Sequence, residues 1–276
     1  MAQRIITGLI LVAVFVPLLI LSDTVLFTVA VSLLSLIGVW EMLSCLGAKK
    51  LYGVVIPSLL IALGAPLCIR LLPGMDMLAG WALGVILLYL FWLAAYCVIK
   101  RGNVAYTLLT SVIISVIYIT AGFSSLMLLR DSTLGAYVFW LVFIGAWVTD
   151  TMAYFCGFLF GKHKLIPEIS PKKTVEGAIG GTLFAGLAFV LYGFIVSKVS
   201  DIPMDLVYLF MTGIISAIVA QFGDLIASAI KREAGIKDYG SLFPGHGGVL
   251  DRFDSIIALS PFILMIHAAP FMNLIK

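Results

Sequence analysis

The sequence predicts an all-α, polytopic integral membrane protein with about nine transmembrane helices and a cytoplasmic N-terminus. Three observations support this fold class: the composition, the lengths of the apolar runs and the positions of the basic residues. Of the 276 residues, 62% are hydrophobic and only 11% are charged, whereas a soluble domain carries about 25% charged residues. The composition therefore excludes an ordinary soluble domain. A net charge of +3 is also too small to indicate a partner that is a nucleic acid.

Nine apolar runs are candidates for membrane spans, because a bilayer core needs about 20 apolar residues of helix. In chain order they cover residues 5–22, 24–40, 53–72, 77–99, 104–129, 136–160, 174–196, 206–230 and 253–274. The first run is longer than a signal-peptide core and lacks a small-residue cleavage site, so we expect it to be retained. The second run is short, and the first two could form a hairpin around Ser22 and Asp23.

The basic residues fall mostly on one side of this topology. With the N-terminus inside, thirteen of the 17 Lys and Arg residues lie in predicted cytoplasmic segments and four in external ones. The thirteen are Arg4, Lys49, Lys50, Lys100, Arg101, Lys162, Lys164, Lys172, Lys173, Lys231, Arg232, Lys237 and Arg252. The positive-inside rule therefore places the N-terminus in the cytoplasm and the C-terminus outside. The compact set of spans favours a bacterial inner (cytoplasmic) membrane.

Polar residues are distributed unevenly along the chain. Residues 1–135 are mostly Leu, Val and Ile with short connections, and we interpret them as a scaffold for lipid or dimer contacts. Residues 136–276 contain two longer predicted cytoplasmic loops, 161–173 and 231–252, which carry most of the polar residues. We therefore expect the catalytic region in the second half of the chain.

Two acidic residues lie within predicted spans. Asp150 follows the start of its run by 14 residues and lies roughly 15 Å from the cytoplasmic end of the helix. A carboxylate at that depth costs about 2.5 kcal/mol or more unless it faces a polar cavity or a partner. Asp224 shares one helical stripe with Gln221, Ser228 and Lys231. We interpret both acids as functional, with a hydrogen bond or ion pair between helices as the alternative.

The segment KDYGSLFPGHGGVLDRFD, residues 237–254, is unusually polar for this chain. If the ninth helix starts near its end, Asp251 and Asp254 share a face one turn apart and can meet Asp224 at the cytoplasmic end of the helices. Clustered carboxylates repel each other unless a cation binds them. Mg²⁺ combines one or two carboxylates with substrate phosphate oxygens, so these three residues are predicted Mg²⁺ ligands.

The glycines of the same segment favour a phosphate ligand. Gly245, Gly247 and Gly248 allow φ > 0 and bring backbone N–H groups close to a ligand. His246 lies between them, and we leave a site role and a structural role equally open. The polar residues predicted beside the glycines are Lys231, Arg232, Lys237, Asp238 and Arg252.

The stretch SPKKTVE, residues 170–176, predicts the start of the seventh helix, with Ser170 as N-cap and Pro171 at the first helical position. Lys172 and Lys173 would then lie in the first turn, where cations oppose the helix dipole unless an anion binds there. We therefore predict that they hold a substrate phosphate, with Glu176 orienting one of them. The alternative is that the lysines anchor the span to lipid phosphates.

These residues carry a resemblance to a known family. The pattern SAIKR-x4-KD-x4-FPGHGGVLDRFD, residues 228–254, resembles the signature of the phosphatidate cytidylyltransferases, or CDP-diacylglycerol synthases, without departure over 27 positions. DTMAY at 150–154, together with Gly157, Gly161-Lys162 and SPKKTVEG at 170–177, resembles the family's upstream motif. The first 135 residues resemble the family only as apolar spans.

The resemblance implies that CTP reacts with phosphatidic acid to give CDP-diacylglycerol and pyrophosphate. It also implies a requirement for Mg²⁺, with K⁺ as a candidate second ion, and a homodimer. By position it implies Asp224 and Asp251 as metal ligands, with Asp254 close by. The expected catalytic residues are Asp224, Asp251, Asp254, Lys237 and Arg252. The expected substrate-binding residues are Asp150, Ser170, Lys172, Lys173, Thr174, Glu176, Ser228, Lys231, Arg232, Asp238, His246, Gly247 and Gly248.

Two other functions are compatible with intramembrane acids. A CTP-dependent lipid kinase would use a similar metal site but attack the γ-phosphate. An ion-coupled transporter would use Asp150 and Asp224 as a relay, although the predicted external loops offer few charged residues for an outer site and the two halves of the chain are unlike.

Overall fold

The computed structural model describes residues 2–71 and 75–269, which form nine α-helices and one antiparallel hairpin. The elements are α1 (Ala2–Ile20), α2 (Val25–Cys45), α3 (Tyr52–Leu71), α4 (Met75–Ile99), α5 (Tyr106–Asp131), α6 (Gly135–Phe160), β1 (Lys164–Ile166), β2 (Ser170–Thr174), α7 (Val175–Val199), α8 (Leu206–Glu233) and α9 (Leu250–Ala268). Seven helices, α2 to α8, contain stretches long and apolar enough to cross a membrane. The predicted all-α membrane fold is confirmed, and the hairpin is an addition to it.

Each predicted span corresponds to one helix, with shifted ends. Helix α2 continues to Cys45, five residues past the predicted end of its run. Helix α9 begins at Leu250, which places Asp251 in its first turn and Asp254 three residues later on the same helix, about one turn apart as predicted. The predicted extension of the ninth span to 274, residue 72 of the third span and the external C-terminus lie outside the described residues.

The short connection between α1 and α2 is the turn predicted around Ser22 and Asp23. The guanidinium of Arg70, in the last turn of α3, donates to the carbonyls of Ser22 at 3.0 Å and Thr24 at 2.8 Å. These bonds join the last turn of α3 to the connection between α1 and α2.

The predicted start of the seventh helix at Ser170 is wrong. Residues Ser170–Thr174 form β2, which pairs with β1, and α7 begins at Val175. Thr174 is the N-cap, with an extended backbone and a side-chain oxygen that accepts the Gly177 N–H at 3.2 Å. Pro171 is compatible with an edge strand because Pro cannot donate to a central ladder. The N-cap is therefore four residues later than predicted, and Lys172 and Lys173 lie on a strand.

The chain divides into two compact units. The first comprises residues 1–127 and 234–252, and in it α2 packs against α1 and α3, and α3 against α4. The second comprises residues 128–233 and 253–276; here α6, α7 and α8 pack on one another, and β2 contacts α6 and α7. From residue 234 onward, the second polar loop therefore groups with the N-terminal helices.

Small residues bring the helices of the second unit close together. A Cβ added at Gly177 of α7 would lie 2.6 Å from the Ala153 carbonyl of α6. At Gly223 of α8, it would lie 2.6 Å from the Ala258 Cβ and 2.9 Å from the Asp254 carbonyl of α9. Helices α8 and α9 therefore cross closely one residue before Asp224.

Candidate active site

An ion pair between Asp224 and Lys173 lies at the centre of the candidate site in the second unit. The Lys173 Nζ lies 2.5 Å from the Asp224 Oδ2, and both side chains are about three-quarters buried. The Ser228 hydroxyl, one turn further along α8, donates to the Asp224 Oδ1 at 3.2 Å. The predicted stripe on α8 is thus confirmed for these two residues, and one carboxylate binds a cation and a hydroxyl.

Two further carboxylates lie near this pair. Asp254, near the start of α9, interacts electrostatically with Asp224, Asp150 and Lys231. Lys231 is buried although it is charged. Charges interact more strongly at such an enclosed position than in water. Because the three acids repel one another, cations are needed to compensate them. Lys173 and Lys231 supply two.

The hairpin brings Lys173 to Asp224. Side chains alternate between the two faces of a strand, and the structure agrees: Lys173 is partly buried against Asp224 whereas Lys172 is exposed. The Arg232 Nε donates to the Ile169 carbonyl at 3.3 Å, which ties the last turn of α8 to the hairpin turn.

Glu176 has a different partner from the predicted lysine. Its Oε1 lies 2.7 Å from the His163 Nδ1 and accepts the His163 backbone N–H at 3.2 Å. Glu176 therefore closes the base of the hairpin. Gln221, on the α8 stripe, donates to the Thr182 hydroxyl of α7 at 3.0 Å, so its amide joins two helices.

In the first unit, Asp251 organises the segment that precedes α9. We call residues 237–250 the glycine loop. The Asp251 Oδ2 accepts the N–H groups of Tyr239 at 2.8 Å and Gly248 at 2.9 Å. The Gly248 N–H, predicted to face a phosphate, thus donates to a carboxylate in this structure. Lys237, Asp238 and Arg252 are exposed.

The glycines of this loop have two different structural roles. Gly245 and Gly247 adopt φ values of +76° and +83°, a region that favours glycine, so the predicted positive φ is confirmed there. Gly248 is needed for space, because an added Cβ would collide with the Glu41 carboxylate. His246 donates its backbone N–H to the Phe243 carbonyl at 2.8 Å.

Glu41 of α2 is a site residue that sequence reasoning missed. It is only 5% exposed, and its carboxylate accepts the N–H groups of Val249 and Leu250, each at 2.9 Å. The predicted run ended at residue 40, directly before Glu41, whereas helix α2 continues to Cys45. With the longer span, Glu41 is an acid inside an apolar helix like Asp150 and Asp224, and such acids are rare and point to function.

The donor chemistry of the acids fits a hard divalent cation. Carboxylate oxygens such as those of Asp224 and Asp254 are the ligands that Mg²⁺ prefers, and a positive charge already lies against Asp224. Among residues 2–71 and 75–269, no three His, Cys, Asp or Glu side chains form a complete metal-binding group. The structure places Asp251 in the other unit, so the three-carboxylate metal site stays a prediction.

Comparison with known proteins shows the family of the chain. The model of the cytidylyltransferase family matches residues 2–269. The protein named phosphatidate cytidylyltransferase of Staphylococcus haemolyticus is 36% identical over 265 residues, which is 95% of this chain and 97% of that protein. The protein of the same name from Bacillus subtilis is 33% identical over 276 residues, covering 97% of this chain and 98% of its own. That of Staphylococcus aureus strain COL is 34% identical over 95% of this chain and 97% of its own.

Proposed function

Because the chain belongs to the cytidylyltransferase family, we propose that it transfers the cytidylyl group of CTP to phosphatidic acid, as a step of phospholipid biosynthesis. The products are CDP-diacylglycerol and pyrophosphate. The names of the relatives support this reaction. The observation that carries it is the Lys173–Asp224 pair beside Asp254 and Asp150, since carboxylates that can hold a cation next to a lysine that can bind a phosphate suit an anionic lipid substrate.

The reaction needs no strong general base. A phosphate monoester has its second pKa near 6 and is largely dianionic at neutral pH. An oxygen of phosphatidic acid attacks the α-phosphorus of CTP and forms the new P–O bond. The bond from the α-phosphorus to the oxygen bridging to the β-phosphorus breaks, and pyrophosphate leaves with that electron pair. The protein must mainly position two polyanions and neutralise their charge.

The basic residues around the site are suited to that task. Lys173 and Lys231 lie among the acids of the second unit, and Arg232 is exposed at the end of α8. We assign to them the binding of substrate phosphates. Asp150, an exposed acid on α6, would line a polar route by which the lipid headgroup enters while the acyl chains stay in the bilayer.

We further propose that Asp224, Asp251 and Asp254 hold Mg²⁺, with K⁺ as a candidate second ion. When bound, the ions supply charge neutralisation for the CTP phosphates. In this proposal Lys173 balances the charge of Asp224 and can contact a phosphate when a metal ion takes its place.

Labelled CTP separates this function from its rivals. The purified protein is incubated with phosphatidic acid and CTP labelled at the α-phosphorus, and in parallel with CTP labelled at the γ-phosphorus. The transferase puts α-label into lipid and γ-label into pyrophosphate. A lipid kinase does the reverse, with γ-label in lipid and α-label in CDP. If no label appears in lipid or in pyrophosphate, the result contradicts the proposal and favours the transporter.

The protein is an integral membrane protein, since seven of its described helices are long and apolar enough to span a membrane. We propose that it lies in the bacterial inner membrane with the site facing the cytoplasm, where CTP is available. We also propose a homodimer, which light scattering of the detergent-purified protein would test. A protein mass near twice 29.8 kDa is expected, and a monomer mass would contradict it.

A further inference from the structure

We propose that Glu41, on α2 of the N-terminal scaffold, is a positioning residue for the glycine loop and the first turn of α9. The activity part of this inference rests on the proposed function, while the structural part does not. Glu41 accepts one hydrogen bond on each carboxylate oxygen, from Val249 to Oε1 and from Leu250 to Oε2. Both bonds are buried and well formed at 2.9 Å.

These two N–H groups belong to the start of a helix. Leu250 is the first residue of α9, and the first N–H groups of a helix have no acceptor within it. A carboxylate at this position also interacts favourably with the helix dipole. Glu41 therefore accepts N–H groups at the start of α9 from a helix 208 residues earlier in the chain.

The loop is shaped to receive this carboxylate. A Cβ at Gly240 or at Gly248 would collide with Glu41, so glycine at both positions leaves the space it occupies. Leu250 also packs against α2, 3.2 Å from where a Cβ on Gly38 would lie. The contacts of Gly240 and Gly248 with Glu41, and of Leu250 with Gly38, thus hold the loop against α2.

Glu41 and Asp251 bind different amides of the same loop. Asp251 takes the N–H groups of Tyr239 and Gly248, and Glu41 takes the next two, those of Val249 and Leu250. Three consecutive amides therefore donate to two carboxylates. Displacement of this backbone shifts Asp251 and its neighbour Arg252, two of the predicted catalytic residues.

The matched variants separate positioning from stability. Glu41→Gln keeps the side-chain length but turns an NH₂ donor toward one of the two N–H groups. Glu41→Asp keeps the charge but is one methylene shorter. Ser35→Ala is the control: Ser35 is fully buried on the same helix, and its hydroxyl makes no hydrogen bond within the described part of the chain.

The experiment measures hydrogen exchange and kinetics on the full-length protein in detergent. For Glu41→Gln we expect the amides of residues 239–250 to exchange at least about tenfold faster, with α7 and α8 unchanged. We expect kcat to fall about tenfold to a hundredfold, since small misplacements are costly in catalysis, with a smaller change in the KM for CTP. Glu41→Asp should fall between Glu41→Gln and the wild type, and Ser35→Ala should match the wild type.

Two results would overturn the inference. In the first, exchange of the loop in Glu41→Gln stays like that of Ser35→Ala. In the second, Tm falls but kcat per folded molecule is unchanged, which assigns Glu41 a structural role only. If Glu41→Gln does not fold, Glu41→Asp is judged by the same two criteria. If the wild-type protein makes no labelled lipid, the proposed function is refuted. The exchange measurement still tests whether Glu41 holds the glycine loop.

Discussion

At the residue scale, the central observation is that a largely buried carboxylate has a lysine for a partner. Asp224 carries the negative charge, and Lys173 and Ser228 stabilise it. The arrangement explains how acids can be kept on apolar helices, because a charge removed from water is costly unless it is paired and hydrogen-bonded. It also marks Asp224 as the acid whose removal should affect catalysis most.

Asp224→Asn should abolish turnover while the protein stays folded. The change keeps the side-chain volume but removes the charge proposed to hold Mg²⁺, and we expect kcat to fall at least about a thousandfold, equivalent to about 4 kcal/mol. Asp201→Asn is the control, because Asp201 is exposed in the α7–α8 connection and has a φ of +53° that Asn adopts readily. A near-normal rate of Asp224→Asn at saturating Mg²⁺ contradicts the metal proposal.

Lys173→Gln and Lys172→Gln should differ although the residues are neighbours. Lys173 contacts Asp224, whereas Lys172 is exposed on the other face of β2. In detergent micelles without bulk anionic lipid, Lys173→Gln should lower kcat/KM for phosphatidic acid about tenfold or more, and Lys172→Gln by much less. Equal effects would favour lipid anchoring by both lysines.

The sequence allowed only part of the residue-scale site to be predicted. The neighbours Asp224 and Ser228 are one turn apart, so helical periodicity was sufficient to pair them. Lys173 contacts Asp224 because it lies on β2, and this strand was not predicted because its sequence also fits a helix start. The partners of Glu41 are 208 and 209 residues away along the chain, and no local pattern connects them.

At the scale of elements, the apolar runs predicted the helices well because span length is set by bilayer thickness. The hairpin was missed because Ser170 and Pro171 are equally suited to a helix start and to an edge strand. Pairing with β1 decides between them, and that pairing depends on tertiary structure. The close crossing of α8 and α9 could not be predicted either, because the glycine at position 223 permits such a crossing but does not require it.

Gly223→Ala should separate α8 from α9 and disturb the acids beside it. The new Cβ would lie 2.6 Å from the Ala258 Cβ, and overpacking of this kind costs about 1–3 kcal/mol. We expect a lower Tm and reduced turnover, measured by thermal unfolding and by the labelled-CTP assay. Gly84→Ala is the control, since it lies in a helix and nothing is within 4 Å of its added Cβ. An unchanged Tm in Gly223→Ala would contradict the close crossing.

At the scale of the whole molecule, topology determines whether the site can meet CTP. In a variant without the four native cysteines, Glu168→Cys reports on the hairpin turn and Thr133→Cys on the α5–α6 connection, both exposed. In spheroplasts, a membrane-impermeant maleimide should label Thr133→Cys but spare Glu168→Cys until the membrane is permeabilised. Labelling of Glu168→Cys in intact spheroplasts would place Lys173 on the wrong side and contradict the mechanism.

The functional division of the chain at residue 135 stays a prediction. The boundaries of the two compact units differ from it. Residues 234–252 group with the N-terminal helices, since the Glu41 contacts with Val249 and Leu250 tie this loop to α2. Composition could show that polar residues accumulate late in the chain. It could not show which helices those residues fold against, because that depends on single buried contacts.

The distance in sequence between Glu41 and its partners also has a consequence for biosynthesis. Val249 follows Glu41 by 208 positions, which take about 10–40 s to translate at typical ribosome speeds. During that interval α2 has left the ribosome, but the N–H groups of Val249 and Leu250 that bind the Glu41 carboxylate have not yet been made. Nascent chains halted before residue 249 therefore lack the two N–H groups that bind the carboxylate of their second helix, in addition to the catalytic groups of α9.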